Sequence, residues 1–312
     1  MNKIISDGLK AHGYTREGIL ARPCYLPEIV NLVNSYLAES HIFENNILEN
    51  FLFTYQDYLK KDSTNNIIGL ENFKSATYIH GTIQSFDYFY LKYSHKRLRW
   101  KEGEFAYHRI AERSYGIAGK SFTNFDELIE GDMLIISIPF SASCEVPDNF
   151  EDVLCDCDKK GIPVLIDFAY LAISRGIEIN LDHDCIKVVS FSLSKCYYGI
   201  ERLRAGLRLT RKYVDDPIDY ANEYNVINFS GAYVATKLIN NFPPSKIYDE
   251  IEPYTNEICK QSNYFRNKTI IFASIEKSHS EFEKYKRSES NYSRKCISEQ
   301  IALNRTYQVN KT

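Results

Sequence analysis

The chain has 312 residues, of which 44% are hydrophobic and 25% are charged, and its formal net charge is −3. This length allows one large α/β core with a smaller appended domain. Acidic and basic residues are mixed, without the basic tracts that typify nucleic-acid binding. No apolar stretch approaches the ~20 residues that cross a bilayer, and residues 1–8 lack the apolar run of a signal peptide. We therefore expect no nucleic acid, no membrane and a cytoplasmic location.

The first predicted element is a helix. Apolar residues recur at helical spacing from Leu26 to Leu37, after a proline near the start of the pattern. We predict that residues 1–72 form an N-terminal helical segment that packs on a small domain or on a partner subunit.

Apolar strands then alternate with helical segments over residues 76–210. Strands are predicted around Ile135, Leu165, Val189 and Leu207, with a helix over residues 148–160. This alternation is typical of a parallel sheet with right-handed crossovers.

The predicted fold class is α/β, with a three-layer α/β/α large domain and a smaller C-terminal α+β domain. The large domain, built on a mostly parallel sheet, is expected over residues 73–215, and the small domain over residues 216–312. In the small domain, residues 269–273 predict a strand. The charged run 276–287 predicts a solvated helix face or a loop.

The eight cysteines are scattered along the chain. None forms the paired Cys-x-x-Cys arrangement of a zinc site. Cys155 and Cys157 lie on a predicted helix, where residues two apart point in different directions and make a poor chelate. The expectation is free thiols and no metal site.

Asp167 follows an apolar run that predicts a buried parallel strand within residues 161–170. Side chains at the carboxyl end of such a strand project into the crevice where open α/β sheets bind ligands. A carboxylate there would keep a pyridine nitrogen protonated, and Tyr170 could hydrogen-bond to a phenolic oxygen of the same ring. The alternative is an aspartate that caps the following turn, with Tyr170 in the core.

Lys195 follows Ser192 and Ser194 at the end of another apolar strand, and Arg204 comes shortly after. A lysine amine forms a Schiff base with an aldehyde, and burial near other cations lowers its pKa. Serine hydroxyls and a guanidinium suit a phosphate dianion. Together these residues indicate a covalently held pyridoxal phosphate, whereas each residue alone is compatible with an ordinary solvated surface.

These three motifs occur in one order: Asp-x-Ala-Tyr at Asp167, Ser-x-Ser-Lys ending at Lys195, and Arg-x-Gly at Arg204. This order resembles that of the fold-type I aminotransferases, which include aspartate aminotransferase. The resemblance implies pyridoxal 5'-phosphate as cofactor, Lys195 as the catalytic residue, and a homodimer in which Tyr55 or Tyr58 reaches the neighbour's phosphate.

The resemblance assigns further cofactor contacts upstream. The backbone amides of Gly81, Thr82 and Ile83 would receive the phosphate at a helix N-terminus, which favours anions. Phe105 would lay its ring against the cofactor, with Tyr107 as the other candidate. Ser141 stands where the family has an asparagine that donates to the phenolic oxygen, and a serine hydroxyl can also donate.

The resemblance also implies that Arg294 binds the α-carboxylate of the substrate, because a guanidinium pairs bidentately with a carboxylate. Arg204 follows Lys195 by one residue more than is usual, so either a bulge absorbs a residue or Arg202 takes the role.

The function that these residues predict is amino-group transfer between an amino acid and a 2-oxo acid. Three alternatives share the cofactor: a lyase, a decarboxylase and an oxidase acting on an amino acid. A fourth is a homologue that has lost catalysis and acts as a binding or regulatory subunit.

Overall fold

The computed structural model describes residues 18–39 and 46–309, with the backbone alone described for residues 306–309. The leading residues 1–8 lie outside this part of the chain. Within it, no helix combines the length and the apolar character that crossing a membrane requires.

Strands from three sheets are distributed along the chain. In chain order they are β1 Asn66–Ile68, β2 Ser75–Ile79, β3 Arg97–Lys101, β4 Gly119–Phe122, β5 Asp132–Ser137, β6 Val164–Phe168, β7 Glu178–Asn180, β8 Ile186–Ser192, β9 Gly206–Thr210, β10 Phe265–Arg266, β11 Phe272–Glu276 and β12 Tyr292–Cys296.

The largest sheet has seven strands in the order β2-β9-β8-β6-β5-β3-β4. Strand β9 runs antiparallel to both of its neighbours, and the other neighbouring pairs are parallel. Strands β10, β11 and β12 form a separate antiparallel sheet, and β1 pairs with β7.

Helices flank these sheets. In chain order they are α1 Pro27–Glu39, α2 Ile47–Lys61, α3 Thr82–Lys92, α4 Tyr107–Tyr115, α5 Phe150–Lys160, α6 Ile200–Leu203, α7 Pro217–Glu223, α8 Phe229–Asn241, α9 Lys246–Ser262, α10 Phe282–Tyr285 and α11 Ser298–Val309.

The large sheet is buried on both faces, as its sequence pattern predicts. Every residue of β5 and β6 is buried. Along β5, Met133 and Ile135 belong to one apolar cluster, while Leu134 and Ile136 belong to the other. Since successive side chains of a strand point to opposite faces, the two clusters are the two cores of a three-layer structure. The predicted α/β class is confirmed.

The N-terminal helices α1 and α2 pack against α8. Tyr55 and Tyr58 of α2 are 1% and 5% exposed, and the Tyr55 ring contacts Phe51 and Phe191. Both tyrosines therefore belong to the core of their own chain. The expectation that one of them reaches the phosphate of a neighbouring subunit stays a prediction. The domain limits stay a prediction.

Strand β11 of the small sheet begins later in the chain than the sequence pattern predicts. The expected strand over 269–273 is observed at Phe272–Glu276. The preceding residues bind the large domain instead, since Thr269 Oγ1 lies 2.8 Å from Ser174 Oγ and Ile270 N–H donates to the Ile173 carbonyl at 2.9 Å.

The charged run at 276–287 contains the short helix α10. Its Phe282 and Tyr285 side chains are buried, while Glu283 and Lys284 are exposed. The run is thus a solvated helix face on one side and an anchor to the small domain on the other.

Candidate active site

Four strand ends meet at one edge of the large sheet. β5, β6 and β8 are parallel, and β2 has the same direction because β9 lies antiparallel between β2 and β8. β2 leads into Gly81, β5 into Ser141 and β8 into Lys195, and Asp167 lies near the carboxyl end of β6. Residues that are distant in sequence therefore converge where α/β sheets usually bind ligands.

The Arg204 guanidinium lies directly over the Gly81 turn. Gly81 has a φ of +83°, and a Cβ there would come within 2.4 Å of Arg204 Nη2. Arg204 Nε donates to the His80 carbonyl at 3.1 Å, and the Tyr78 hydroxyl donates to the Arg204 carbonyl at 2.8 Å. Arg204 itself has a left-handed φ of 59°. Arg204, rather than the exposed Arg202, reaches the turn.

Two buried serine hydroxyls lie next to this turn. Ser192 Oγ and Ser194 Oγ are 2.5 Å apart, and Ser194 N–H donates to Ser192 Oγ at 3.2 Å. Ser192 pairs across the sheet with Gly206, where a Cβ would lie 3.3 Å from the Gly81 Cα. The serines, the guanidinium and the N-terminus of α3 thus form one cradle of donors suited to a phosphate. Ile83 is partly buried and packs its side chain against the core, so its contribution to this cradle is its backbone amide.

Asp167 is a buried carboxyl at the same edge, with 5% of its surface exposed. Burial and the neighbouring Glu104 raise its pKa to about 7, against the opposing effects of the Ala169 N–H, Thr82 and Lys195. The Ala169 N–H donates to Asp167 Oδ1 at 3.0 Å. Lys195 acts electrostatically on Asp167, and both residues lie at the carboxyl ends of neighbouring strands, β8 and β6. The acid is half protonated near neutral pH and gains its charge when a cation is opposite.

The Lys195 amine loses its proton more readily than an ordinary lysine amine, because its pKa is lowered. Burial, Arg22 and Arg204 lower its pKa to about 8. Its Nζ donates to the Ala21 carbonyl at 3.1 Å, so the segment around Arg22 covers the amine. A lysine with this pKa has a substantial fraction of free amine at neutral pH, which is the nucleophilic form.

Arg294 of β12 brings Ser141 and Tyr170 together. Its Nη1 donates to the Ser141 carbonyl, and it hydrogen-bonds to Tyr170. The guanidinium carbon lies 4.1 Å from the Phe272 ring centroid. Arg294 Nε and Ser141 Oγ are buried without a hydrogen-bond partner among the described residues. A buried guanidinium with an unused donor is suited to an anionic ligand.

Glu104 is a buried acid of this site that the sequence analysis did not identify. Its Oε1 accepts from Ser137 N–H at 2.7 Å, and its Oε2 accepts from the Ser137 hydroxyl at 2.9 Å and from Phe105 N–H at 2.8 Å. Burial raises its pKa, while these donors and Arg294 act to lower it. The surrounding charges at Lys101 and Glu102 indicated an exposed turn. The spacing of Glu104 and His108, four residues apart at a helix start, was the available signal.

Phe105, expected to stack on the cofactor, lies at the rim instead of beside the buried cluster. It is 38% exposed and its ring is parallel to that of Tyr107 at 6.0 Å. Phe105 lies on the β3–α4 connection, and Tyr107 is the first residue of α4. The Glu104 side chain, not the Phe105 ring, points inward from this connection.

A cleft of about 380 Å³ leads from solvent to Glu104 and Arg294. Arg109, Lys286 and Arg287 also line it. It lies between the β3–α4 connection of the large domain and the segment before β12, so a small molecule that contacts Arg294 can enter from this side.

The eight cysteines are free thiols, and Cys296 lies near the Lys195 amine. Among residues 18–39 and 46–309, no group of His, Cys, Asp and Glu side chains is arranged to hold a metal ion.

The sequence matches no protein-family model and no curated protein. Solved structures resemble the fold over nearly the whole chain. A tyrosine aminotransferase from Leishmania infantum has a TM-score of 0.66 at 12% identity, covering 95% of this chain and 95% of that chain. A histidinol-phosphate aminotransferase from Clostridium acetobutylicum has a TM-score of 0.64 at 13% identity, covering 94% and 98%.

A third similar structure is a pyridoxal-phosphate-bound C–S lyase from Staphylococcus hominis. Its TM-score is 0.64 at 12% identity, covering 97% of this chain and 93% of that chain. Identities this low establish the architecture and leave the reaction open. The resemblance recognised in the sequence is confirmed at the level of the fold: the chain adopts the fold of the fold-type I aminotransferases.

Proposed function

We propose that this chain is a pyridoxal-phosphate-dependent aminotransferase that moves an amino group between an amino acid and a 2-oxo acid. The observation that carries the proposal is the pairing of Asp167 and Lys195 at one sheet edge. Both are charged-type residues in a poorly solvated pocket, and the pKa of each is shifted toward its neutral form, to about 7 and about 8. Burying two ionisable groups in this way lowers the stability of the folded chain, and such groups are typical of sites where they interact with a ligand.

The residues fit this cofactor at three points. The Gly81 turn leaves room for the Arg204 guanidinium that a Cβ would displace. The cradle of Ser192, Ser194, Arg204 and the first amides of α3 would hold the phosphate. Asp167 would face the ring nitrogen, and the unpartnered Ser141 Oγ would be free to donate to the phenolic oxygen.

When bound, the cofactor supplies an electron sink for the charge left on the substrate α-carbon. Lys195 Nζ would be the base that takes the α-proton and returns it, because its pKa of about 8 lies close to neutral pH. Asp167 Oδ1 and Oδ2 carry the negative charge that holds a proton on the ring nitrogen. The Arg294 guanidinium, fixed by the Ser141 carbonyl, binds the substrate carboxylate.

The proposal is tested by titrating the purified chain with pyridoxal phosphate and then with single amino acids. We expect a yellow protein that is bleached by a subset of amino acids, with the matching 2-oxo acid released in equal amount. Release of ammonia, carbon dioxide or peroxide would identify a lyase, a decarboxylase or an oxidase. A protein that stays colourless would indicate a homologue without catalysis.

A carbon–sulfur lyase is the second candidate function. The C–S lyase structure resembles this chain about as closely as the aminotransferases do. Ser141 in place of the family's asparagine also loosens the contact to the phenolic oxygen, since a serine side chain is shorter. Release of a thiol and ammonia from a cysteine conjugate, without a 2-oxo-acid acceptor, would favour this function.

Replacing Gly81 by alanine tests the phosphate cradle. The new Cβ would push the Arg204 guanidinium away from the turn, and we expect the affinity for pyridoxal phosphate to fall at least about 10-fold, the loss of one charge-assisted hydrogen bond. Gly161→Ala is the matched control. Gly161 also has a positive φ, of +61°, but a Cβ there meets nothing within 4 Å. Equal affinities of the two variants would contradict the assignment of the cradle.

Replacing Arg294 by lysine tests substrate binding. Lysine keeps the charge but loses the planar fork, so KM for the amino acid should rise about 10- to 100-fold with little change in kcat. Arg109→Lys, an exposed residue of the same cleft, serves as control and should leave KM within about twofold. An unchanged KM in Arg294→Lys would place the carboxylate elsewhere.

A further inference from the structure

Glu104 interacts electrostatically with two charged groups that the proposed function uses, Asp167 and Arg294, and it lines the same cleft as Arg294. Its carboxylate is 6% exposed and is held by both polar groups of Ser137. Ser137 is the residue of β5 that pairs with Asp167 of β6 in the sheet register. The Glu104 carboxylate is therefore fixed one strand away from Asp167, in a pocket with little water to screen it.

The other charged and titratable groups around Glu104 are few. Arg294 of β12 interacts with it electrostatically. His108 Nε2 of α4 is 4.0 Å from Glu104 Oε2, but burial lowers the His108 pKa to about 3, and its Nδ1 is bonded to the Tyr90 hydroxyl at 2.7 Å. His108 is therefore neutral and does not cancel the charge of Glu104. Around Asp167 the corresponding groups are Lys195, Glu104 and Tyr170, and the uncharged Thr82 side chain hydrogen-bonds to the carboxyl.

We propose that Glu104 is a positioning residue that acts through Asp167 and Arg294. Its fixed charge makes the part of the pocket beside the cofactor ring favour a protonated ring nitrogen. The same charge restrains the Arg294 guanidinium, which would bind the substrate carboxylate. This inference rests on the proposed function. The same charge opposes ionisation of Asp167 while no cation is present, and it gives Arg294 a buried counter-charge.

The first test uses the chain without cofactor. Glu104→Gln removes the charge and keeps the size of the side chain, so Asp167 ionises more readily. Urea unfolding at a series of pH values should show the upper end of the pH window in which Asp167 ionisation costs stability moving down by about one pH unit, while the lower end, set by the unfolded chain, stays in place. Glu104→Asp, which keeps the charge, should largely restore the wild-type window. Glu102→Gln, an exposed acid two residues away, should leave the window unchanged.

The second test uses the cofactor-loaded chain. In Glu104→Gln, the acidic limb of the kcat profile should also move down by about one pH unit, and KM should fall because Arg294 no longer has an internal anion. If Glu104 had a purely structural role, Glu104→Gln would lower stability at every pH and would move neither the unfolding window nor the acidic limb of the kcat profile.

The proposal is overturned if Glu104→Gln behaves like Glu102→Gln in both measurements, or if Glu104→Asp shifts the window as far as the glutamine variant does. The outcome is separable from that of the proposed function. A colourless chain whose unfolding window still moves in Glu104→Gln refutes the function and keeps the coupling to Asp167. A yellow, active chain with an unmoved window keeps the function and refutes the coupling.

Discussion

Lys195→Ala is expected to give a folded, colourless protein whose aminotransferase activity is at least about 10⁴-fold below that of the parent chain. In the proposed function, the variant loses the amine that would join the cofactor aldehyde and, with it, the base that would move the α-proton. Burial and the cations Arg22 and Arg204 make this amine reactive, by lowering its pKa to about 8. Absorbance after incubation with pyridoxal phosphate and release of 2-oxo acid from the amino donor are the measurements.

The matched control is Lys187→Ala. Lys187 lies on β8, the strand that leads to Lys195, but its side chain is exposed and its Nζ donates to the Asp184 carbonyl at 2.6 Å. This variant should keep both colour and activity. A yellow, active Lys195→Ala protein, or loss of colour in Lys187→Ala alone, would show that the amine has been assigned to the wrong residue.

Asp167→Asn is expected to abolish most activity while stabilising the chain without cofactor. An amide cannot hold the ring proton, so kcat should fall about 10²- to 10⁴-fold. In the empty pocket, the wild-type carboxyl has a folded-state pKa of about 7, raised from 3.8. Ionising it in the folded chain therefore costs free energy, roughly 2–4 kcal/mol at pH 8, and the amide avoids this cost.

The pH dependence has a definite sign. The folded chain binds the Asp167 proton more tightly than the unfolded chain does, so this group favours folding below about pH 4 and loses that effect as the pH rises to about 7. The stability difference between Asp167→Asn and wild type should thus grow from pH 5 to pH 8. Asp184→Asn, at an exposed aspartate before β8, should show no such growth. A constant or shrinking difference for Asp167→Asn would contradict the raised pKa.

The sheet could be predicted from sequence because its strands are continuous apolar runs. The strands around Ile135, Leu165, Val189 and Leu207 are all observed, and the helix expected over 148–160 is observed as Phe150–Lys160. A parallel sheet that is covered on both faces needs such runs, and the polar residues at their ends then mark the ligand edge. Asp167 and Lys195 follow from this rule, whereas Arg204 precedes the antiparallel strand β9 and was identified by its Arg-x-Gly motif.

The parts that sequence could not reveal depend on tertiary contacts. Glu104 sits in a charged stretch, and its burial depends on Ser137, a residue 33 positions away in the chain. The cover over Lys195 comes from Ala21, 174 positions away. In residues 269–273 the apolar pattern fits a strand, but Thr269 and Ile270 form hydrogen bonds with Ser174 and Ile173 of the large domain instead.

Some expectations stay predictions. The homodimer, the cytoplasmic location and the domain limits at residues 72 and 215 depend on partner chains or on the cell. Of the N-terminal segment, the structure shows that α1 and α2 pack on α8 of the same chain. Sedimentation of the cofactor-loaded protein would determine the oligomeric state.

The most direct measurement is borohydride reduction of the chain loaded with pyridoxal phosphate, followed by peptide mass spectrometry. Reduction makes the bond between a lysine amine and the aldehyde carbon permanent. We expect one cofactor per chain, on the peptide that contains Lys195. Label spread over exposed lysines such as Lys187, or absent from Lys195, would contradict the proposal that this sheet edge holds the cofactor.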